Sequence, residues 1–175
     1  MTSKVLLSGR IFDIERREYP GPDGRVVRRD VVVHPGAVVI LPLLDDRRIV
    51  MIRNLRHVVD EELWELPAGT LEAGEEPIKT AHRELMEETG YRAERLEPYA
   101  FFYTSPGILT EQMHAFLATD LSPVGQDLGE TEQITVHGVD IDQVRRMMID
   151  GTVKDAKTIA TLGIYFTRGQ RNSQP

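Results

Sequence analysis

Two pairs of apolar segments near the start of the chain have the spacing of β-hairpins. In residues 10–34, apolar residues flank the turn-forming sequence PGPDG, which predicts an antiparallel hairpin. A second hairpin is predicted for residues 37–52. Its first strand reads AVVILPLL, which is apolar on both faces and therefore typical of a central buried strand. The first hairpin carries four arginines and is expected to lie outside the main core: Arg16, Arg17, Arg28 and Arg29.

The next periodic segment has the pattern of an amphipathic helix. Pro77 suits a first helical position, and Gly90 suits the residue that ends a helix in the left-handed conformation. Between them, four residues repeat at helical spacing and are predicted to face the core: Ile78, Ala81, Leu85 and Thr89.

The rest of the chain alternates predicted strands and helices. Strands are expected at residues 98–104, 112–119 and 133–139, and helices at 141–149 and 155–167. Mixed strands with helices on both sides predict an α/β fold, an α/β/α sandwich with a mixed sheet.

The N-terminal antiparallel hairpin is predicted as an extension of this sandwich. The expected division is a hairpin extension at residues 1–35, a main domain at 36–170 and a frayed tail at 171–175.

The composition of the chain excludes some kinds of binding partner. Of the 175 residues, 41% are hydrophobic, and the formal net charge is −7, so bare nucleic acid is not an expected partner. The chain has no cysteine, and any metal must therefore be held by oxygen or imidazole. We find no apolar run of the roughly 18 residues that a membrane helix requires and no signal peptide. These features predict a cytoplasmic protein with no membrane partner.

The predicted helix gathers carboxylates beside its apolar face. Glu84 and Glu88 lie four residues apart and point the same way, while Glu87 lies on the next stripe. Like charges at this spacing repel each other, and a divalent cation such as Mg²⁺ would offset the repulsion. The alternative interpretation is a solvated, charged helix face.

The spacing of these residues favours the metal interpretation. From Gly69 the chain reads G-x5-E-x7-R-E-L-x-E-E-x-G, and on this pattern it resembles the Nudix hydrolases. The resemblance implies that residues 36–170 form a Nudix domain that holds Mg²⁺ or Mn²⁺ against a diphosphate. It implies that Glu84, Glu88 and the backbone carbonyl of Ala68 bind the metal.

The same resemblance implies roles for two further residues of the motif. Glu87 is implied to be catalytic, as a ligand that binds the metal directly or through water. Arg83 is implied to pair with Glu75 or Glu87 and so to orient the loop.

A second stretch resembles the ADP-ribose pyrophosphatase branch of the family. Pro106 lies fifteen residues after Tyr91, which ends the motif, and Gly107 and Glu111 follow it. A Pro-Gly turn lets the backbone approach a ligand closely, and Glu111 is placed to reach the metals or the terminal ribose. The alternative is an ordinary hairpin turn with an exposed glutamate.

Two arginines before the motif are candidates for phosphate recognition. Arg53 and Arg56 stand in a sequence similar to the R-Q-x-R element of related enzymes, with Asn54 in place of glutamine. Arginine suits bidentate recognition of phosphate. The resemblance implies that Arg56 binds the pyrophosphate, and the alternative is a surface arginine.

An acidic stretch before the predicted strand at 133–139 holds the candidate general base. Related enzymes place a glutamate there on a mobile loop. Both Glu130 and Glu132 qualify, and the pattern E-x-E-x-I-x-V favours Glu130 as the base and Glu132 as a supporting group.

The resemblance therefore implies Mg²⁺-dependent hydrolysis of ADP-ribose to AMP and ribose 5-phosphate. The nearest alternative is hydrolysis of another nucleoside diphosphate sugar, such as ADP-glucose or GDP-mannose. A different class, a regulator that binds ADP-ribose without cleaving it, fits less well because every carboxylate of the motif is present. The resemblance also implies a homodimer in which the N-terminal hairpin contacts the second subunit, with Arg28 or Arg29 reaching adenine or phosphate.

Overall fold

The computed structural model describes residues 2–45 and 47–171, and these form ten strands and three helices. The first five strands are β1 (Thr2–Ser8), β2 (Asp13–Pro20), β3 (Val26–Val33), β4 (Ala37–Asp45) and β5 (Arg48–Arg56). Two short strands and a helix follow: β6 (Glu61–Glu65), β7 (Ala68–Thr70) and α1 (Pro77–Thr89). The last elements are β8 (Tyr91–Tyr103), β9 (Gln112–Pro123), β10 (Ile134–Asp140), α2 (Ile141–Ile149) and α3 (Ala156–Arg171).

A mixed sheet forms the centre of the molecule. Its strand order is β10-β5-β4-β9-β8, with β6 paired to β5 and β7 paired to β4. Strands β4 and β9 run parallel, and the other pairs are antiparallel. The predicted mixed sheet and its central strand β4 are therefore confirmed.

Helices cover both faces of this sheet. On one face α1 packs through Ala81 and Leu85 against alternate residues of β4, including Val38 and Ile40. On the other face α2 and α3 pack against the intervening β4 residues, with Val144 and Leu162 at the centre of the contact. Burial on both faces explains why β4 is a continuous apolar run, and it confirms the α/β/α arrangement.

The N-terminal strands form a separate antiparallel sheet with the order β1-β2-β3. Strands β2 and β3 are the predicted hairpin, whereas β1 was not predicted. The sheet joins the main domain where Val32 pairs with the chain near Leu109, through a 2.9 Å bond from the Val32 amide to the Ile108 carbonyl. All seven residues of β1 are exposed.

Helix α1 begins and ends where its sequence signals place it. Pro77 is at the first helical position, and Gly90 ends the helix with a φ of 69°, a left-handed conformation that favours glycine. One predicted core residue is wrong. Ile78 is 38% exposed at the margin of the sheet, and Thr80 is buried in the layer with Ala81.

Some observed elements differ from those predicted. Strands β6 and β7 were missed because they are too short and too polar to show a strand pattern, and they exist through pairing with β5 and β4. Helix α3 extends to Arg171, beyond its predicted end. Met1, Asp46 of the predicted turn, and residues 172–175 of the predicted tail lie outside the described residues. Across residues 2–45 and 47–171, we find no helix with the length and apolar character to span a membrane.

The contrast between Leu85 and Ile78 gives a stability prediction. Leu85 is fully buried, and we expect Leu85→Ala to lower the free energy of unfolding by about 2–5 kcal/mol, because it leaves a cavity between α1 and the sheet. Ile78→Ala is the control on the same helix, and we expect it to lower the free energy of unfolding by about 1 kcal/mol or less. Urea unfolding measures both values. Equal costs would show that the first turn of α1 is packed as tightly as its centre.

Candidate active site

A cleft of about 470 Å³ opens where β5, β6 and β7 meet the start of α3. Three of the residues chosen from the sequence line it: Arg56, Ala68 and Glu111. Gly69, the first residue of the motif, lines it too. The cleft therefore brings together parts of three separate sequence segments.

Glu88 connects the motif helix to the wall of this cleft. Its side chain is buried, and its Oε2 accepts a 2.8 Å hydrogen bond from the backbone amide of Ala68. Burial raises the pKa of Glu88 to about 8, with a further raising contribution from Glu84, and the Ala68 amide and Arg56 oppose the change. An ionised Glu88 is therefore costly in this position unless a cation accompanies it.

Glu84 lies directly over Gly69. A Cβ atom at position 69 would come within 1.9 Å of the Glu84 carboxyl group, so only glycine leaves room for this side chain. Burial raises the pKa of Glu84, and Arg83 opposes that shift. The glycine of the motif thus has a steric role, because it lets the Glu84 carboxylate pack against the strand that lines the cleft.

Arg83 pairs with the carboxylates around it. Its Nη1 donates to Glu84 at 2.7 Å and to Glu87 at 3.2 Å, and its Nη2 donates to Glu75 at 3.3 Å. The predicted partners Glu75 and Glu87 are confirmed, and Glu84 is an additional partner. These bonds join the loop before α1 to the acidic side of the helix.

The donor set is suited to a hard divalent cation. Among residues 2–45 and 47–171 we find no group of three or more carboxylate or imidazole side chains arranged to hold a metal. The pair Glu84 and Glu88 nevertheless matches the one or two carboxylates with which Mg²⁺ is usually bound when substrate phosphates and water complete its coordination. Burial raises the pKa of both carboxylates, and the charge of Glu84 adds to the rise for Glu88, so a nearby positive charge would favour their ionised forms. The residues present fit such an ion.

The acidic stretch before β10 brings one of its two glutamates towards this pair. The charge of Glu132 contributes to raising the pKa of both Glu84 and Glu88, which places Glu132 within electrostatic reach of them. The Oε2 of Glu132 accepts a 2.8 Å bond from the Gly129 amide, which holds the turn. Glu130 is exposed and is not among the main contributors to either pKa.

Arg56 is held at the cleft by a buried carboxylate. Its Nε and Nη2 donate to the two carboxylate oxygens of Glu65, at 2.7 and 2.6 Å. The Glu65 side chain is 1% exposed, whereas the Arg56 side chain is 42% exposed. One edge of the guanidinium is thus fixed, and the remainder faces the cleft.

Arg53 lies on the other face of β5. Residues three positions apart on a strand point to opposite faces, so Arg53 and Arg56 separate. Arg53 pairs with Glu62 at 2.5 Å and lies over the ring of Trp64, and it does not line the cleft. The structure does not bring Arg53 together with the other candidates.

The remaining candidates lie at different distances from the cleft. Glu111 lines it and accepts a 2.6 Å bond from the Thr104 hydroxyl. Pro106 and Gly107 form an exposed turn beyond this pair and do not line the cleft. Arg29 is exposed on β3, in the N-terminal sheet.

Sequence reasoning missed three charged residues of the cleft: Glu65, Asp155 and Lys157. Lys157 Nζ donates to Glu65 at 2.5 Å and to Asp155 at 2.9 Å. Asp155 also accepts the Thr158 amide at 2.9 Å and so caps the start of α3. The available signal was an acidic residue inside the otherwise apolar sequence LWELPAG, since a carboxylate in a buried strand requires a cation nearby.

Comparison with known families gives one match over most of the chain. The NUDIX domain matches residues 33–162. The ADP-ribose pyrophosphatase of Bacillus subtilis (strain 168) is 40% identical over 160 residues, which cover 90% of this chain and 86% of that protein. The ADP-ribose pyrophosphatase of Mycobacterium tuberculosis (strain ATCC 25618 / H37Rv) is 37% identical over 163 residues, 91% of this chain and 79% of the relative.

A third relative and a solved structure extend the comparison. The methanol dehydrogenase activator of Bacillus methanolicus is 35% identical over 159 residues, 90% of this chain and 86% of that protein. The crystal structure of an ADP compounds hydrolase superposes with a TM-score of 0.85 and 20% identity, covering 100% of this chain and 95% of that one. At this identity the structural match supports the fold alone.

The close contact at Gly69 gives a prediction about metal binding. We expect Gly69→Ala to displace Glu84 and to weaken Mn²⁺ binding by about 10- to 100-fold, the range typical of a disturbed ligand support. Gly163→Ala on α3 is the control, because its added methyl group meets no atom within 4 Å. Calorimetric titration compares the two variants. Unchanged Mn²⁺ affinity in Gly69→Ala would mean that Glu84 does not bind the metal from its present position.

Proposed function

The chain belongs to the Nudix hydrolase family, and on that premise we propose that it hydrolyses ADP-ribose to AMP and ribose 5-phosphate. Water attacks one phosphorus atom, and the bridging P–O bond breaks. The observation that carries this proposal is the hydrogen bond from the Ala68 amide to Glu88, which joins the motif helix to the wall of the cleft that the exposed guanidinium of Arg56 also lines. The names of the two ADP-ribose pyrophosphatase relatives support the choice of substrate.

Nudix hydrolases use divalent metals, and we propose Mg²⁺ here, with Mn²⁺ able to replace it. Glu84 and Glu88 would hold the ion, together with the Ala68 carbonyl. When bound, such an ion neutralises phosphate charge and lowers the pKa of bound water. Glu87 supports the same charge cluster through Arg83.

Glu132 is proposed as the group that accepts the proton of the attacking water. The charge of Glu132 contributes to raising the pKa of both Glu84 and Glu88. This supports Glu132 as the base over Glu130, the residue that the sequence pattern favoured. A carboxylate within reach of the attacking water can accept its proton and so act as a general base.

Recognition of the substrate is proposed to depend on two cleft residues. The exposed edge of Arg56 binds the pyrophosphate through charge-assisted hydrogen bonds. Glu111, oriented by Thr104, accepts hydrogen bonds from the terminal ribose. Arg53, Pro106 and Gly107 stand outside the cleft, and their predicted part in binding remains a prediction.

An assay with purified protein and Mg²⁺ tests this function. We expect faster hydrolysis of ADP-ribose than of ADP-glucose, GDP-mannose, NADH or diadenosine polyphosphates, measured by release of AMP or the corresponding nucleotide. A better rate with another nucleoside diphosphate sugar would instead identify that alternative substrate, and binding of ADP-ribose with no turnover would identify the regulator.

Matched variants in the same assay test the base. We expect Glu132→Gln to lower kcat by about 100-fold or more, the usual contribution of a general base. Glu130→Gln makes the same chemical change two residues away and should have a much smaller effect. The reverse result would assign the base to Glu130.

We further propose a homodimer that covers the N-terminal sheet. Strand β1 is an edge strand in which Val5, Leu6 and Leu7 are 49%, 43% and 52% exposed. Apolar edge strands of this kind are usually covered by another chain or surface. In such a dimer the exposed Arg29 could reach the partner's cleft.

The division of the chain at residues 35 and 36 and the cytoplasmic location remain predictions.

Light scattering coupled to size-exclusion chromatography tests the dimer. We expect the mass of two chains for the wild type and of one chain for Leu7→Asp, because a charge on β1 opposes its burial. Ile149→Asp on α2 is the control, since Ile149 is exposed but lies on the main domain. A monomeric wild type would contradict the proposed dimer.

A further inference from the structure

A network of four charged side chains lies along one wall of the cleft. Arg56 and Lys157 both donate to Glu65, and Lys157 also donates to Asp155. All four side chains line the cleft. The Lys157 and Glu65 side chains are 13% and 1% exposed, so their ion pair is almost fully removed from water.

The central carboxylate of this network is shared between two cations. Glu65 Oε2 accepts from Arg56 Nη2 at 2.6 Å and from Lys157 Nζ at 2.5 Å. A buried carboxylate that loses one of two cationic partners depends on the other for all of its charge compensation, because an uncompensated buried charge is very costly. Lys157 therefore determines how strongly Glu65 holds Arg56.

The start of α3 fixes Lys157 relative to the strands. The Thr158 hydroxyl accepts the Leu66 amide at 2.9 Å, and both residues are fully buried. Asp155 holds the first turn of α3 from the other side through the Thr158 amide. The ammonium group is thus placed by a rigid helix end rather than by a mobile loop.

From these contacts we infer that Lys157 is a positioning residue for pyrophosphate binding, acting through Glu65 on Arg56. By sharing the charge of Glu65, Lys157 leaves Arg56 with one edge fixed and its remaining N–H groups and positive charge available to the phosphates. Loss of Lys157 would leave Arg56 alone to neutralise the charge of Glu65, and less of its positive charge would then be available to the ligand. This inference rests on the proposed function.

The chain contains a matched control for this residue. Lys154, three positions earlier, also pairs with a glutamate of β6, Glu61, but both of these side chains are about half exposed and neither lines the cleft. We expect Lys157→Met to raise KM for ADP-ribose about tenfold with kcat changed little, because a charge-assisted contact to the phosphate is weakened. Lys157→Arg should restore KM, and Lys154→Met should leave it unchanged.

A double variant separates positioning from direct contact. If Lys157 acts through Arg56, then Arg56→Met and the double variant Arg56→Met/Lys157→Met should have the same KM. Multiplied effects would show that Lys157 contacts phosphate directly and would overturn the inference. A KM for Lys157→Met within about twofold of wild type would overturn it as well.

Two further measurements test the role of Lys157 separately from the folding of the variant and from the proposed substrate. Thermal unfolding confirms that Lys157→Met is folded, and Lys157→Gln, which keeps a donor without the charge, replaces it if it is not. Calorimetric binding of ADP repeats the comparison without turnover. A wild type that binds ADP but does not hydrolyse ADP-ribose would contradict the proposed function alone, whereas equal ADP affinity of wild type and Lys157→Met would contradict this inference alone.

Discussion

The hydrogen bond from the Ala68 amide to the buried Glu88 carboxylate joins the two halves of the site. Glu88 belongs to α1 and Ala68 to β7, so this bond fixes the acidic helix against the wall of the cleft. Burial makes the ionised carboxylate costly, and the neighbouring Glu84 adds to that cost. Glu88 therefore ionises at neutral pH only where positive charge, from Arg56 or a bound cation, offsets this cost.

The segment from Glu65 to Gly69 connects the acidic helix to the other walls of the cleft. Glu65 is held by Arg56 and Lys157, and the Leu66 amide is bonded to the Thr158 hydroxyl of α3. Gly69 at the end of the segment makes room for Glu84. Four of these five residues thus receive contacts from β5, α1 or α3, and a shift of any of these elements would move both the cationic and the acidic walls.

Much of the architecture follows from local signals in the sequence. The apolar run of β4 predicts a strand buried on both faces, and Pro77 and Gly90 mark the ends of α1, because these residues act through their own backbone conformations. The spacing of Glu84 and Glu88 likewise places both carboxylates on one side of a helix before any tertiary contact is known. The sequence alone therefore determined the fold class, the acidic helix and the family resemblance.

Only the tertiary structure decided which charged residues meet. Lys157 and Glu65 are 92 positions apart, and no local pattern relates them. The positions of Arg53, Glu130 and Glu132 relative to the cleft were also undecided, since a charged residue on a strand or loop looks the same in sequence whether it faces a site or solvent. Short strands such as β6 exist only through pairing with a neighbour. The physical reason is that backbone conformation depends mainly on adjacent residues, whereas burial and charge pairing depend on distant segments that folding brings together.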